Sequence, residues 1–220
     1  MPSEGRVSVD MGELIRRLGH DLRNKFSVMK NSVYFLTLKG NSDDVKVSKH
    51  LGILEREIEA ANRMVMDLMT YAWPKSMMRH DLKINRLLKR AVARASLPER
   101  VARHLDLSPE VPLLRGDQVH LEHALTNLIG WAAQASPGVE TILVSSRARD
   151  GRIEVRIVSD GVEPLRDLDN TLPTLDASAP EAGLLLSLIV GRSLIEAHGA
   201  TLDISRRDGD ALVALIDIPC

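Results

Sequence analysis

Two apolar stripes near the N-terminus constrain the fold of this chain more than any other feature. From Gly12 to Leu38, apolar residues recur at spacings of three and four, the period of one helix face. The first stripe comprises Leu14, Leu18, Leu22, Phe26, Met29, Val33 and Leu36. The second has heptad spacing and comprises Val47, Leu51, Leu54, Ile58, Ala61, Val65 and Leu68. The turn signal GNSDD at residues 40–44 joins the two predicted helices into a hairpin.

A single two-helix hairpin offers little surface against which its apolar stripes can be buried. Two copies of the hairpin remove this problem by packing as a four-helix bundle. We therefore predict that residues 8–72 form a homodimeric bundle. The domain is expected to extend to residue 75, because Pro74 breaks the second helix.

The remaining residues, 76–220, change pattern and predict a second domain. Helical segments are expected at 84–95, 117–135 and 184–198, the last ended by Gly199. The alternating segments TILVSSRA and RIEVRIVS flank Asp150-Gly151 and predict a β-hairpin. A second hairpin is predicted at the C-terminus, with Asp208-Gly209 at its turn. The fold class is therefore α+β, with helices on one face of a mainly antiparallel sheet.

Composition excludes several classes of function. The net charge of -1 and the pI near 6.7 argue against nucleic acid as the main partner. The only cysteine is Cys220, so neither a disulfide framework nor a cysteine-based zinc site forms within the chain, and a cytoplasmic location is expected. The apolar run at residues 184–190 is too short for a membrane span, which needs about 20 residues. No metal site is predicted, because His120, His123 and His198 lack a convincing ligand spacing.

His20 is the strongest candidate for chemistry in the predicted hairpin. It lies two residues from both Leu18 and Leu22, about 160° around the helix, so it faces away from the apolar stripe. Asn24 shares its face, and Asp21 is adjacent. An imidazole beside a carboxylate suits nucleophilic phosphoryl transfer, because the carboxylate can accept the ring proton. The alternative is that His20 is an ordinary solvated histidine. Taken alone, these three residues favour this alternative.

A wider pattern resembles the two-component histidine kinases over about residues 10–218. The segments HDLRNKFSVMKNSVYFL and HLGILEREIEAANRMVMDLMTYAWP resemble the family's dimerisation and phosphotransfer hairpin. GDQVHLEHALTNLIGWAAQASP is similar to its N box, whereas VRIVSDGVEPL and AGLLLSLIVGRSLIEAHGATLDI fall where its two glycine boxes belong. The resemblance implies that His20 accepts the phosphoryl group, with Asp21 and Asn24 in the acid-x-x-Asn motif. It also implies a kinase-type ATP-binding domain over residues 76–220, with Asn127 and Asp160 as remnants of a nucleotide site.

The sequence departs from the family at this nucleotide site. Trp131 stands where the resemblance implies a second, magnesium-binding asparagine, and an indole has no oxygen ligand. Val162 and Pro164 replace glycines of the first glycine box. In the second box Gly183 is followed by three leucines, and Gly191 is expected to be a close-packing position within a helix. The lid segment, residues 162–182, lacks glycine. We therefore expect no cofactor, and Mg-ATP only if the chain is a kinase after all.

Three functions follow from this pattern of retained and lost residues. The leading hypothesis is a histidine phosphotransferase that exchanges a phosphoryl group between His20 and the receiver aspartate of a response regulator. The second is an active histidine kinase with a divergent nucleotide site. The third is a non-catalytic module that binds a kinase or a regulator. The expected receiver contacts are the residues around His20, namely Arg16, Arg17, Arg23 and Lys30.

Overall fold

A computed structural model describes residues 11–39, 45–72, 76–95, 97–98, 100–135, 138–161, 182–207 and 211–220. The chain divides into two compact units, of which one holds the N-terminal hairpin and the other holds the β-strands. The elements are α1 (Met11–Lys39), α2 (Val45–Ala72), β1 (His80–Leu82), α3 (Ile84–Arg94), β2 (Ala102–Leu107), β3 (Leu114–Gly116), α4 (Gln118–Ala132), β4 (Thr141–Arg149), β5 (Arg152–Ser159), α5 (Ala182–Ala197), β6 (Thr201–Arg207) and β7 (Ala211–Pro219).

The helical hairpin predicted from the two stripes is present. Helices α1 and α2 run antiparallel, since Lys25 Nζ lies 3.0 Å from Glu57 Oε2, whereas Ser32 Oγ lies 3.4 Å from His50 Nδ1. The ring of Phe35 stacks on that of His50, with centroids 4.0 Å apart. These contacts link the C-terminal half of α1 to the N-terminal half of α2. The predicted turn at residues 40–44 lies outside the described residues.

Each apolar stripe of the hairpin separates into an inner row and an outer row. The inner rows are half-buried or buried and comprise Leu22, Met29 and Leu36 of α1, and Val47, Leu54, Ala61 and Leu68 of α2. The outer rows are exposed and comprise Phe26 and Val33 of α1, and Leu51, Ile58 and Val65 of α2. Phe26 is 58% exposed and Ile58 is 48% exposed. A single chain therefore covers only about half of the predicted seam.

The second unit is built on a five-stranded sheet with the order β2-β4-β5-β7-β6. Both predicted β-hairpins are present in it as β4-β5 and β6-β7. Strand β2 was not predicted, and it is the one described strand of this sheet that pairs in parallel, with β4. Strands β1 and β3 were not predicted either, and they form a separate antiparallel pair. The observed fold is thus mixed α+β, as predicted, with a mixed sheet.

The turn between β4 and β5 has the backbone that its sequence predicts. Asp150 and Gly151 have φ angles of 50° and 74°, and they connect the paired residues Arg149 and Arg152. Two consecutive positive φ values are typical of the tight turn that suits a twisted β-hairpin. The predicted turn at Asp208-Gly209 lies outside the described residues.

The core of the second unit lies between its helices and one face of the sheet. Helix α4 packs against α3 and against strands β5 and β7. Side chains on the inner face of β5, Ile153, Val155 and Ile157, are fully buried. Its outer face carries cross-strand ion pairs, such as Arg152 Nε to Asp217 Oδ1 at 2.7 Å. Across the described parts of the chain, no helix has both the length and the apolar character that a membrane span requires.

Candidate functional site

The residues of the phosphotransfer motif lie on α1. The structure places the backbone of His20 within this helix, whereas its side chain lies outside the described residues. Asp21 is half-buried and Asn24 is exposed. Arg23 and Lys30 are also exposed, as expected of residues available to a partner. The helical backbone from residue 20 to residue 24 keeps the i, i+4 relation between His20 and Asn24 on which the sequence interpretation depends.

The two N-box positions share one face of α4, four residues apart. Asn127 is buried, and Trp131 is 1% exposed. The Trp131 Nε1 atom is buried and has no hydrogen-bond partner among the described residues. Such an unpaired donor typically costs about 1–3 kcal/mol. Because Mg²⁺ is bound by oxygen and the indole offers only a donor, the residues at this position do not fit a magnesium ion.

Asp160, the other candidate nucleotide residue, directly follows β5. Its Oδ1 accepts hydrogen bonds from the backbone N–H groups of Glu140 and Thr141, both at 2.9 Å. Burial raises the pKa of Asp160, but the hydrogen bonds from Thr141 and Glu140 outweigh it and lower the pKa below its usual value. The carboxylate is therefore ionised, and it ties the end of β5 to the start of β4.

The segment that corresponds to the second glycine box is helical. Gly183 and the three leucines after it lie within α5, which begins at Ala182. A Cβ atom added to Gly191 would lie 3.0 Å from Cγ of Leu128 on α4. This confirms the prediction that Gly191 is a close-packing position. Residues 162–181, which include Val162, Pro164 and nearly all of the predicted lid, lie outside the described residues.

A buried polar network that the sequence did not reveal joins Asp117 and His198. His198 is 5% exposed, and its Nε2 accepts a hydrogen bond of 3.0 Å from the backbone N–H of Asp117. The carboxylate of Asp117 caps α4 by accepting from the N–H groups of Val119 and His120, and it also accepts from the N–H of Met78 at 2.8 Å. Asp117 was predicted only as the start of a helix. The sequence gives no signal for a buried histidine at the end of α5.

Nearly the whole chain is similar in sequence to curated protein kinases of bacteria. No family model matches the chain. It is 21% identical over 214 residues to sporulation kinase E of Bacillus subtilis (strain 168), which covers 95% of this chain and 28% of that protein. It is 24% identical over 217 residues to the sensor histidine kinase ZraS of Klebsiella oxytoca, covering 96% and 46%. The chain thus spans less than half the length of these two relatives.

The solved structures agree with the sequence relatives. The crystal structure of histidine kinase ThkA in complex with response regulator protein TrrA is similar over 95% of this chain and 61% of that one, with a TM-score of 0.66 and 17% identity. The likeness extends over both the helical hairpin and the α/β unit, and it shows the fold. The relatives by sequence are mainly sensor histidine kinases, and the chain has the histidine kinase fold, with a dimerisation-type hairpin followed by a domain of the ATP-binding type.

Proposed function

We propose that the chain is a histidine phosphotransferase that exchanges a phosphoryl group between His20 and the aspartate of a response-regulator receiver domain. The observation that carries the proposal is the buried Trp131. It stands at the position of a family magnesium ligand, whereas the motif around His20 is retained. A chain that keeps its phosphoacceptor but lacks a magnesium ligand is better suited to receive a phosphoryl group than to take one from ATP.

The proposed transfer requires little from the second unit. A ring nitrogen of neutral His20 attacks the phosphorus of the receiver's aspartyl phosphate, the phosphorus–oxygen bond to that aspartate breaks, and the ring then releases its proton. Asp21, the adjacent carboxylate, is the proposed acceptor of that proton. The exposed Asn24 is proposed to orient a phosphoryl oxygen. In-line positioning supplies most of the rate, so that no nucleotide on this chain takes part.

A receiver domain is the proposed partner for two reasons. The similar structure of ThkA contains a response regulator protein, which supports the same class of partner for this chain. The exposed cations Arg23 and Lys30 lie on α1 on the C-terminal side of His20. Cations in this position suit a receiver surface that carries acidic residues around its phosphorylation site.

The proposal includes a homodimer, which the outer rows of the hairpin support. Phe26 and Val33 on α1, and Leu51, Ile58 and Val65 on α2, are exposed at heptad spacing. The inner rows of the same seam are already covered within the chain. A second copy presents the same rows by symmetry, so each pair of outer rows is buried against its equivalent. The phosphotransferase is thus proposed to act as a four-helix bundle.

The deciding experiment supplies the phosphoryl group from two sources. The purified chain is incubated with γ-labelled ATP and Mg²⁺, and separately with a labelled, phosphorylated receiver domain. We expect label on the chain only from the receiver, and none with His20→Ala. His50→Gln is the matched control, because it removes another histidine from the hairpin and should leave labelling intact. Label from ATP alone would refute the phosphotransferase and support a kinase.

A kinase is the second candidate because Asn127 and Asp160 are retained and the named relatives are kinases. It predicts saturable nucleotide binding, measured by titration calorimetry and by Trp131 fluorescence. A Trp131→Asn variant separates the two candidates. If the tryptophan is what prevents magnesium binding, the variant should gain Mg-ATP affinity. A wild-type chain that binds Mg-ATP as tightly as the variant would favour the kinase.

A further inference from the structure

A network of five hydrogen bonds connects three separated segments of the second unit. His198, just after α5, accepts from the backbone N–H of Asp117. Asp117, just before α4, accepts at Oδ2 from the backbone N–H of Met78 and at Oδ1 from the first turn of α4. Arg79 Nη2 donates to the carbonyl of Ala197 at 3.0 Å. The segment Met78–Arg79 is thus fastened to the N-terminus of α4 and to the C-terminus of α5.

The partners of His198 determine its protonation state. Its Nδ1 lies 2.7 Å from the carbonyl oxygen of Leu194, which only accepts hydrogen bonds, so Nδ1 carries the proton. Its Nε2 faces the N–H of Asp117, which only donates, so Nε2 must carry the lone pair. The network therefore requires the neutral Nδ1–H tautomer of His198. A second proton, on Nε2, would break this hydrogen bond, because the ring N–H and the Asp117 N–H would then be two donors facing each other.

The surroundings of the ring agree with a neutral state. Burial lowers the pKa of His198, and the electrostatic effects of Arg79 and His120 lower it further, against the raising effects of the Leu194 carbonyl and the Asp117 carboxylate. Among the described residues, Arg79, His120 and Asp117 are the titratable groups that act on the ring, from the segment before β1, from α4 and from the residue that caps α4. Space is also closely filled, since a Cβ atom added to Gly116 would lie 3.0 Å from Cδ2 of His198.

The segment Met78–Arg79, which this network holds in place, lies between α2 and β1. Helix α2 ends at Ala72, and Met78 and Arg79 follow a few residues later, before β1 begins at His80. They therefore lie where the chain coming from the hairpin enters the second unit. This segment is therefore part of the direct covalent connection from α2 to the second unit.

We propose that Asp117 and His198 form a proton-controlled clasp on the segment Met78–Arg79. With His198 neutral, the clasp is closed and the entry segment is held. Binding of one proton at Nε2 breaks the hydrogen bond from the Asp117 N–H, separates the ends of α4 and α5, and frees the segment. The ligand of the clasp is the proton alone, so it operates whether the chain is a phosphotransferase or a kinase.

The test is amide hydrogen exchange on the 220-residue chain, measured by NMR between pH 7.5 and 5.5 and corrected for the intrinsic pH dependence of exchange. Protection of the Met78 and Asp117 amides should fall by about tenfold as the pH drops one unit below the ordinary histidine pKa. Their exchange should be insensitive to low urea, as expected of a local opening. Amides of β5 serve as the reference for global unfolding.

Two variants assign the effect to the clasp. His198→Gln should make the protection of Met78 independent of pH over this range, whereas His120→Gln should leave the pH dependence in place. The clasp is overturned if wild-type protection does not change with pH, if it changes equally in His198→Gln, or if Met78 follows the β5 amides in urea. Should His198→Gln fail to fold, nitrogen shifts of the wild-type ring decide: a protonated Nε2 at pH 7.5 overturns the proposal, and the Nδ1–H tautomer supports it.

Discussion

The two units of this chain solve the problem of burial in opposite ways. The hairpin covers its inner apolar rows within the chain and leaves its outer apolar rows exposed. The second unit buries its core completely, with Ile84, Leu88 and Leu125 all inaccessible to solvent. The hairpin, which carries the retained motif of His20, is therefore expected to bury its outer rows against a partner. The second unit, which carries the altered nucleotide motifs, is stable through its own packing.

The largest expected effect comes from truncating the self-contained core. Leu125→Ala should lower the free energy of unfolding of the second unit by about 2–5 kcal/mol, because it leaves a cavity in a fully buried site. Leu113→Ala is the matched control, since Leu113 is exposed and should change stability by less than about 0.5 kcal/mol. Urea unfolding at two protein concentrations measures both. Similar losses for the two variants would mean that Leu125 is not a core residue.

A charge on the outer row of the hairpin tests the other half of the comparison. Ile58→Asp should weaken self-association by about a hundredfold or more, because two buried carboxylates would meet no partner in the seam. Lys49→Asp places a larger charge change about 180° around α2 and should leave association unchanged. Sedimentation equilibrium gives both constants. A wild-type chain that stays monomeric at all concentrations would refute the proposed bundle.

The cap of α4 is expected to have a smaller effect. Asp117→Ala should cost about 1–2 kcal/mol, because the N–H groups of Val119, His120 and Met78 lose their acceptor. Asp117→Asn retains an acceptor and should cost less. Burial raises the pKa of Asp117, but the hydrogen bonds from His120 and Met78 outweigh it and lower the pKa below 3.8.

The sign of the pH effect at Asp117 follows from that lowered pKa. The folded state binds the proton less tightly than the unfolded state, so the stabilisation is complete above about pH 3.8 and is lost as the pH falls through the folded value. Urea unfolding of wild type and Asp117→Asn between pH 7 and pH 3 measures this. An acid limb of equal steepness in the two proteins would contradict the assignment.

The smallest expected change is at Asp160. Asp160→Asn keeps an oxygen that accepts from Glu140 and Thr141, so stability at pH 7 should fall by less than about 1 kcal/mol. Labelling from a phosphorylated receiver should be unaffected, because the proposed transfer uses no nucleotide. Loss of labelling in a correctly folded variant would show that the second unit takes part in the chemistry.

The sequence was informative where the pattern is long and local, and uninformative where structure depends on distant partners. Twenty-odd residues of regular apolar spacing in α1 and again in α2 identified the hairpin, and Asp150-Gly151 identified a turn. Strand β2 was not predicted. Nearly all of its residues are exposed, so buried and exposed positions do not alternate along it. Strands β1 and β3 are three residues each and exist only through their mutual pairing.

The candidate site shows the same contrast between features set by local sequence and features set by distant partners. Trp131 was identified from its place in a motif, but its complete burial and its unpaired Nε1 depend on packing that no local pattern contains. Asp160 was expected to be a remnant of a nucleotide site, whereas its carboxylate accepts hydrogen bonds from Glu140 and Thr141, which lie twenty and nineteen residues earlier in the sequence. His198 shows the limit most clearly, since its partner Asp117 is 81 residues away in sequence.

The tight turn between β4 and β5 has a further consequence, for the order in which the second unit folds. It brings Arg149 and Arg152 together after two residues, so this hairpin closes quickly, whereas β2 must find β4 across a long intervening stretch of chain. We therefore expect β4-β5 to be formed in the folding transition state and β2 to join afterwards. In stopped-flow measurements, Gly151→Ala should mainly slow folding, and Leu105→Ala in β2 should mainly speed unfolding. Strand β2, which the sequence did not predict, is thus also expected to pair only after the β4-β5 hairpin has formed.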